Sequence, residues 1–295
     1  MRVAVVGLGG VGGYIAASLA KTSYDVVGFA RGAHLEAIKK DGLRIVEDEQ
    51  TWTTPLDVRE LHEAEGSFDV VLFCVKSYDL VQAYKALEHT LHPKSILLSF
   101  SNGVANGDTL RALSDARVLD GCVYILSHLE SEGVVRKKGK IFAAVFGAEK
   151  EAVATLSALF DEADLRYKTP ENIQEALWKK YLFISAFATL TSYYDKSIGA
   201  LMQENLQEVQ SLLEEINSVA KSKGIDISAE VQKALDTAAS LPYDASTSMH
   251  LDFQNHKQTE LEALSGYICK EAQKYQIATP VMQRCYERLV ALSPL

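Results

Sequence analysis

Three glycines near the start of the chain have the spacing of a dinucleotide-binding turn. Gly7, Gly9 and Gly12 form the pattern G-x-G-x-x-G, directly after the apolar run RVAVV and before a segment of helical composition. The first glycine of this motif permits a tight turn, the second lets the backbone approach a pyrophosphate, and the third lets the helix pack on the strand. We therefore expect the turn to hold the phosphates of a dinucleotide at the start of the helix. The residues predicted to bind it here are Gly7, Leu8, Gly9, Gly10, Val11 and Gly12.

The second predicted strand ends on a cation instead of an acid. Phe29, Ala30 and Arg31 close this strand without the Asp or Glu that would bond the ribose 2′-hydroxyl of NAD. A guanidinium offers a fixed positive charge and a planar set of donors that suits a 2′-phosphate. We therefore expect NADP(H) as the cofactor, with Arg31 at its 2′-phosphate. The structural alternative is an arginine that is merely solvated.

A lysine stands at the edge of an uncharged helical segment in the second half of the chain. The sequence ALWKKYLFISAFATL places Lys179 and Lys180 directly before residues 181–194, which carry no charge. A helix that is apolar on all sides is buried. Because lysine is rarely buried without a partner, Lys180 is a candidate site residue. The alternative is that its ammonium reaches solvent at the helix edge.

Polar residues that follow predicted strands or border a helix face supply further candidates. Lys76 follows the run FDVVLFCV and Asn102 follows SILLSF, so both are expected at the carboxyl edge of a parallel sheet, where ligands bind. Glu260 lies one residue from the apolar seam of a predicted helix, and Ser248 precedes that helix. The corresponding structural roles are an Asn-Gly turn at Asn102, a solvated Glu260 and an N-cap at Ser248.

Short apolar strands alternate with helices in the first part of the chain, a pattern typical of a doubly wound parallel sheet. Beyond it the periodicity is helical. The sequence thus predicts an α/β protein with an NADP-binding Rossmann domain at residues 1–169 and an all-α domain for substrate binding or dimerisation at residues 170–295. Strands are predicted at residues 2–6, 25–30, 43–46, 68–75, 95–100 and 118–126, with a hairpin or meander at 134–146. Helices are predicted at residues 14–21, 33–40, 79–89, 108–114, 172–194, 204–223, 228–240, 252–275 and 280–292.

The 295 residues carry a formal net charge of −9, which argues against nucleic acid or an anionic membrane surface as a partner. The sequence shows no apolar run of about 18 residues and no secretory signal pattern, so we expect a cytoplasmic protein without a membrane span. Its 4 cysteines and 7 histidines have no metal-ligand spacing, so no metal is expected. The uncharged residues 181–190 suit a buried core as well as a homodimer interface, and the sequence leaves both open.

Several motifs together resemble one enzyme family. GLGGVGG, Arg31, VKSYD, SNG, LWKK and SMHLDFQNHKQTE occur in this order over nearly the whole chain. They are similar to ketopantoate reductase, the 2-dehydropantoate 2-reductase family of NADP-dependent oxidoreductases. The resemblance implies reduction of a 2-oxo acid to the 2-hydroxy acid, either ketopantoate to pantoate in pantothenate biosynthesis or a related acid.

The resemblance also implies a role for each candidate. Lys180 would be the general acid that protonates the keto oxygen, and Glu260 would orient the substrate and the lysine. Asn102 and Ser248 would hold the oxygens of the substrate. Lys76 would border the nicotinamide end of the cleft, and Asn102 would also bind the cofactor.

The chain departs from the family pattern at two positions. The family usually carries K-x-x-x-N-x-x-x-N on the helix of the catalytic lysine, whereas this chain has Ile184 and Ala188 there. Neither side chain can hydrogen-bond a substrate hydroxyl, and such bonds discriminate strongly between substrates. The departure implies a paralogue that acts on a different, less polar 2-oxo acid.

Two other functions compete with this hypothesis. A non-catalytic NADP-binding sensor or partner-binding protein is compatible with the missing asparagines. Another two-domain hydroxyacid dehydrogenase, such as the 3-hydroxyisobutyrate type, would also combine a Rossmann domain with a helical one. The glycine-rich substrate loop of that type is not visible in this sequence.

Overall fold

The computed structural model describes residues 1–48 and 50–293. They form two compact units. The first comprises Met1–Ser101 and Ala105–Ile173, and the second comprises Asn102–Val104 together with the chain from Gln174 onward. A three-residue piece of the loop that contains Asn102 therefore belongs to the helical unit and not to the sheet that precedes it.

The first unit is built on one sheet, which has ten strands among the described residues. Numbered in chain order, the strands are β1 (Arg2–Val6), β2 (Asp25–Phe29), β3 (Leu43–Glu47), β4 (Gln50–Thr54), β5 (Asp57–Arg59), β6 (Val70–Phe73), β7 (Ile96–Ser99), β8 (Arg117–Ser131), β9 (Val134–Gly147) and β10 (Tyr167–Lys168). Along the sheet they follow one another as β4-β3-β9-β8-β7-β6-β1-β2-β5, and β10 pairs with β9.

The central strands run parallel and are buried on both faces. β1 pairs in parallel with β2 and β6, and β7 and β8 continue the parallel row beyond β6. In β1, Val3 and Val5 join one hydrophobic core, whereas Ala4 and Val6 join a second core on the opposite face. This alternation explains why the run RVAVV is apolar at nearly every position.

Helices cover both faces of this sheet. These helices are α1 (Gly10–Leu19), α2 (Gly32–Asp41), α3 (Leu80–Leu87), α4 (Asn106–Leu113) and α5 (Lys150–Glu162). Helices α1, α2 and α5 contribute to the first core, and α3 and α4 contribute to the second. The predicted doubly wound α/β fold of this part of the chain is confirmed.

The sheet differs from the sequence-based prediction at its long antiparallel pair. Residues 134–146 were expected to form a hairpin or meander, but they lie in the single strand β9, which pairs antiparallel with β8. The turn of the hairpin lies between the two strands at Gly133, whose φ of 74° suits glycine. Strand β8 also continues to Ser131, beyond the predicted end at residue 126, because its outer half pairs with β9.

Some elements have little sequence signal. Helix α1 begins at Gly10, four residues before the predicted start, because glycines with low helix propensity fill its first turn. Strands β4 and β5 were not predicted, since QTWTT and DVR lack an apolar alternation. Helix α5 was also missed, although its residues Leu156 and Phe160 are buried in the first core.

The second unit is helical, as predicted from the change in periodicity. Its helices are α6 (Ile173–Tyr194), α7 (Ile198–Glu204), α8 (Leu206–Ser222), α9 (Ser228–Ser240), α10 (Ser248–Gln254), α11 (Tyr267–Tyr275) and α12 (Pro280–Leu292). α9 and α12 have the predicted bounds, and α12 carries Pro280 in its first turn. The segment predicted as one helix over 204–223 is preceded by a separate short helix, α7.

The prediction of a single helix over 252–275 is wrong. Helix α10 ends at Gln254, and His256 has a left-handed φ of 51°, which interrupts the helical path. The chain resumes its helix at Leu261 through a π-helical segment, Glu262–Gly266, that leads into α11. A π segment inserts an extra residue into the helix and displaces its carbonyl groups, so it often marks a functional position.

The uncharged residues 181–190 of α6 are largely buried in the chain itself; Leu182, Ala186, Phe187 and Leu190 are fully buried. They therefore form core, and a homodimer remains a prediction. Within the described part of the chain, no helix has the length and apolarity that a bilayer crossing requires. Nor do three or more His, Cys, Asp or Glu side chains converge there in a way that could hold a metal ion.

A buried carboxylate ties α8 to α12. Glu215 of α8 is 9% exposed, and its two carboxylate oxygens accept hydrogen bonds from the backbone N–H groups of Val281 and Met282, each at 2.8 Å. These N–H groups lie in the first turn of α12, where no intrahelical acceptor exists. Burial raises the pKa of Glu215, and the two backbone bonds oppose that rise.

We predict that Glu215→Ala destabilises the protein by about 1–3 kcal/mol, because it leaves two buried N–H groups without an acceptor. Chemical denaturation followed by circular dichroism would measure the loss. Glu214→Ala is the matched control, since the neighbouring Glu214 is exposed and accepts from Gln210 on the helix surface. Equal effects of the two substitutions would contradict the prediction.

Candidate functional site

Three of the predicted site residues form a hydrogen-bonded row in the second unit. The Lys180 ammonium donates to Asn102 Oδ1 at 3.3 Å, and Asn102 Nδ2 donates to Glu260 Oε2 at 3.3 Å. An ammonium can only donate and a carboxylate can only accept, so one orientation of the amide satisfies both neighbours. The structure therefore brings a cation, an amide and an anion together in a fixed order.

Glu260 is the buried end of this row. Glu260 is 4% exposed and directly precedes Leu261, where the helix that contains the π segment Glu262–Gly266 begins. A carboxylate removed from water has to accept hydrogen bonds, so the Asn102 amide is part of what makes its burial tolerable. The structural alternative of a solvated Glu260 is thereby wrong.

Helix α6 is held against the π segment by its own hydroxyl groups. The Leu264 carbonyl accepts from Tyr181 Oη at 2.6 Å and from Ser185 Oγ at 2.9 Å. Both donors follow Lys180 within a turn and a half, so the same contacts that dock the helix also fix the backbone that carries the lysine. The lysine side chain itself is half-buried.

Ser248 lies at the first position of α10 and is exposed. Its predicted alternative role as an N-cap is wrong, because Thr247 caps this helix by accepting from the backbone N–H of His250. Thr247 Oγ1 also shares a hydrogen bond of 2.9 Å with Thr191 Oγ1 of α6. The start of α10 is thus anchored to the helix that carries Lys180.

Sequence reasoning missed a second anchor of this loop, His250. Its ring is 4% exposed and lies between Ser246 Oγ on Nδ1 and Asp195 Oδ1 on Nε2, each at 2.7 Å. Asp195 follows the last residue of α6 and has a left-handed φ of 50°. Its bonds to His250 and Gln254 lower the pKa of the Asp195 carboxyl.

The glycine-rich turn in the first unit has the geometry that its spacing predicts. Gly7 has a φ of +88°, which is unfavourable for residues with a Cβ. A Cβ on Gly12 would lie 2.0 Å from the Gly7 carbonyl oxygen, so any other residue there would separate the helix from the turn. Both positions therefore need glycine for reasons of backbone geometry.

The same turn fits the diphosphate of a dinucleotide. A Cβ built on Gly9 would have no atom within 4 Å, so the backbone here is open to close approach by a ligand. Gly9 is also the N-cap of α1, and the helix begins without a side-chain cap and without an acidic residue in its first turn. Backbone N–H groups at such a helix start attract phosphate.

His34 connects this turn to neighbouring elements and was not predicted as a site residue. Its Nε2 lies 2.9 Å from the Leu8 carbonyl oxygen, and its Nδ1 accepts from the backbone N–H of Gly133 at 2.9 Å. The two contacts require a neutral ring with its proton on Nε2. His34 thus joins the glycine turn, helix α2 and the hairpin of β8 and β9.

Arg31 and Lys76 lie where the strand ends predict. Arg31 is exposed and stands two residues beyond β2, at the N-cap of α2. By contrast, Arg59 at the end of the adjacent β5 is engaged by Asp57 and Glu65. Lys76 is half-buried and follows β6 at the start of a short 3₁₀ turn.

Models of one protein family match most of the chain. The model described as ketopantoate reductase PanE/ApbA matches residues 3–150, and the model of its C-terminal part matches residues 172–293. The uncharacterized oxidoreductase YkpB of Bacillus subtilis is 29% identical and covers 98% of this chain, which covers 98% of that protein.

Solved structures of similar chains cover nearly the full length. A PanE/ApbA family ketopantoate reductase from Ralstonia eutropha is 28% identical, with a TM-score of 0.92 over 99% of this chain and 98% of that chain. A 2-dehydropantoate 2-reductase from Porphyromonas gingivalis is 30% identical, with a TM-score of 0.85 over 98% of this chain and 99% of that chain. The likeness in sequence and fold thus extends over both units.

We predict a pH-dependent loss of stability that originates at His34. Burial lowers the pKa of His34, although its bond to the Leu8 carbonyl and the nearby Glu132 act in the opposite direction. The unfolded chain then takes up a proton first, so stability falls as the pH drops from about 6.5 towards the lower folded-state pKa. The contribution is at most about 1.4 kcal/mol per pH unit.

Urea denaturation at several pH values between about 8 and 5 would measure the free energy of unfolding. Its decrease towards low pH should be smaller in His34→Gln. The control is His128→Gln, at an exposed histidine of β8. An unchanged pH dependence in the His34 variant would show that the ring titrates alike in both states.

Proposed function

Because this chain belongs to the ketopantoate reductase family, we propose that it uses NADPH to reduce a 2-oxo acid to the corresponding 2-hydroxy acid. Membership makes it a nicotinamide-dependent oxidoreductase that acts on CH–OH groups, which argues for an enzyme over a non-catalytic binding protein. The observation that carries the proposal is the row formed by Lys180, Asn102 and Glu260. Ketopantoate, reduced to pantoate in pantothenate biosynthesis, is the substrate that the family name suggests, and a related 2-oxo acid is the alternative.

The two units are assigned different tasks in this proposal. Residues 1–169 bind the cofactor and residues 170–295 bind the substrate. Asn102 is the exception, because it contacts the substrate although it precedes residue 170. The glycine turn from Gly7 to Gly12 holds the diphosphate, and Arg31 holds the 2′-phosphate that distinguishes NADPH from NADH. Lys76 lies next to the nicotinamide end.

Lys180 acts as the general acid. When bound, the reduced nicotinamide supplies the hydride that adds to C2 of the keto acid. Negative charge develops on the carbonyl oxygen, where the Lys180 ammonium stabilises it and transfers a proton, so that the Nζ–H bond breaks as the O–H bond forms. Such general-acid assistance contributes about 10² to 10⁴ in rate. Solvent water then reprotonates the amine.

Asn102 and Glu260 position this proton. The buried Glu260 carboxylate orients the Asn102 amide, and the amide oxygen in turn holds the ammonium in one direction. Both bonds are 3.3 Å long, which exceeds the 2.7–2.9 Å of a strong charge-assisted bond and leaves the ammonium able to turn towards a substrate oxygen. Ser248 is assigned to the far end of the substrate, since α10 begins beside Thr191 of the same helix.

We predict that Lys180→Ala lowers kcat by about 10² to 10⁴ while NADPH binding is retained, because the substitution removes the proton donor and leaves the glycine turn intact. Steady-state loss of nicotinamide absorbance would measure turnover, and fluorescence titration would measure binding. The control is Lys179→Ala, since Lys179 pairs with Glu175 and Glu230 instead. The proposal fails if both lysine variants retain full activity.

We further predict that Arg31→Ala raises the KM for NADPH about 10- to 100-fold and leaves the KM for NADH nearly unchanged. The guanidinium would bond only the 2′-phosphate, and a charge-assisted bond contributes about 1.5–3 kcal/mol. Lys40→Ala, at the far end of the helix that Arg31 caps, is the control for a general loss of positive charge. If the KM rises equally for NADPH and NADH, Arg31 does not discriminate between the two cofactors.

A further inference from the structure

We propose that the 2-oxo acid recognised by this chain has an apolar side chain, because the wall of α6 beside Lys180 presents only apolar groups. The inference rests on the proposed function and specifies its substrate class. Side chains such as those of 4-methyl-2-oxopentanoate and phenylpyruvate fit this description. Ketopantoate, which carries a hydroxyl at C4, does not.

Helical geometry identifies which side chains share the face of Lys180. At about 100° per residue, Phe187 lies within about 20° of Lys180 around the axis, Ile184 within about 40° and Phe183 within about 60°. Thr191 returns to within about 20° of the lysine after three turns, about 16 Å along the helix. The wall that we call the apolar strip therefore consists of Phe183, Ile184 and Phe187 and lies between the ammonium and Thr191.

Part of the apolar strip is accessible. Over residues 181–192 of α6, Phe183 and Ile184 alone are partly exposed, and the other ten residues are buried. The rings of Phe183 and Phe187 pack with their centroids 4.6 Å apart, so the buried Phe187 ring supports the partly exposed Phe183 ring. Ile184, one turn from the ammonium, is thus the surface that the side chain of a substrate on Lys180 would meet.

The hydroxyl groups of α6 are committed elsewhere. Ser185 donates to the Leu264 carbonyl, and Thr189 donates to the Ser185 carbonyl and contacts Ser265 Oγ. Thr191 donates to the Phe187 carbonyl and contacts Thr247. The hydroxyl of Ser192 has no partner among the described residues, but it lies about 120° around the helix from Lys180. Among the described residues of α6, the face beside the ammonium therefore offers no uncommitted donor or acceptor to a substrate hydroxyl.

This composition sets the expected selectivity. A hydroxyl placed against Ile184 loses its bonds to water and gains none in return. A hydrophobic site rejects an added hydroxyl only moderately, by about 10²-fold at most. We therefore expect kcat/KM for an acid with an apolar side chain to exceed that for ketopantoate by about 10- to 100-fold.

A substrate panel tests the inference on the unmodified protein. Initial rates of NADPH oxidation are measured with 4-methyl-2-oxopentanoate, phenylpyruvate and ketopantoate, and the expected order places both apolar acids ahead of ketopantoate. Equal or better turnover of ketopantoate overturns the substrate class and leaves the proposed reductase function intact. No turnover of any acid, with NADPH binding demonstrated by fluorescence, overturns the proposed function itself.

Ile184→Asn locates the selectivity on the strip. The change should move the ratio of kcat/KM for ketopantoate to that for 4-methyl-2-oxopentanoate upwards by about tenfold or more, because the amide can bond the hydroxyl. Ile184→Leu is the control and should keep the ratio of the unmodified protein. Because both substrates are measured on one preparation, the ratio does not depend on how much of the variant folds. An unchanged ratio in Ile184→Asn overturns the assignment of the strip.

Discussion

The burial of the Glu260 carboxylate is the constraint around which the helical unit is arranged. An anion removed from water requires donors, and the Asn102 amide supplies one and presents its oxygen to Lys180. The order of cation, amide and anion follows from what each group can donate or accept. It also explains why a short piece of chain after β7 belongs with residues far along the sequence. The Asn102 amide thus gives both the Lys180 ammonium and the Glu260 carboxylate a hydrogen-bond partner.

The packing around α6 serves the same arrangement. The π segment after Glu260 displaces backbone carbonyls, and the Leu264 carbonyl receives hydroxyl groups from Tyr181 and Ser185. These bonds dock one face of α6, while Thr191 docks the loop before α10. The face of Lys180 keeps only hydrophobic groups between these anchors. The Ser and Thr hydroxyls of the helix therefore serve the packing of the fold, whereas its hydrocarbon side chains lie on the face of Lys180.

The sheet unit relies on backbone geometry instead of charged side chains. Gly7 and Gly12 let the turn and α1 come close together, and His34 fixes the Leu8 carbonyl from the side of α2. The turn can therefore offer its N–H groups to an anion with little reorganisation. Both hydrogen bonds of His34 require its neutral ring, so the contact between His34 and the turn depends on pH. The glycine geometry does not.

The sequence by itself determined the order and type of most elements, the glycine turn and the candidate status of Lys180. These properties depend on local periodicity, on glycine geometry and on the scarcity of lysine next to uncharged helix. Only the tertiary structure decided that Glu260 is buried, that the helix predicted over 252–275 is broken, and that Thr247 and not Ser248 caps α10. It also revealed His34 and His250. Each of these depends on partners that lie far away in the chain, and the free energy of a buried polar group is set by those partners and not by its neighbours in sequence.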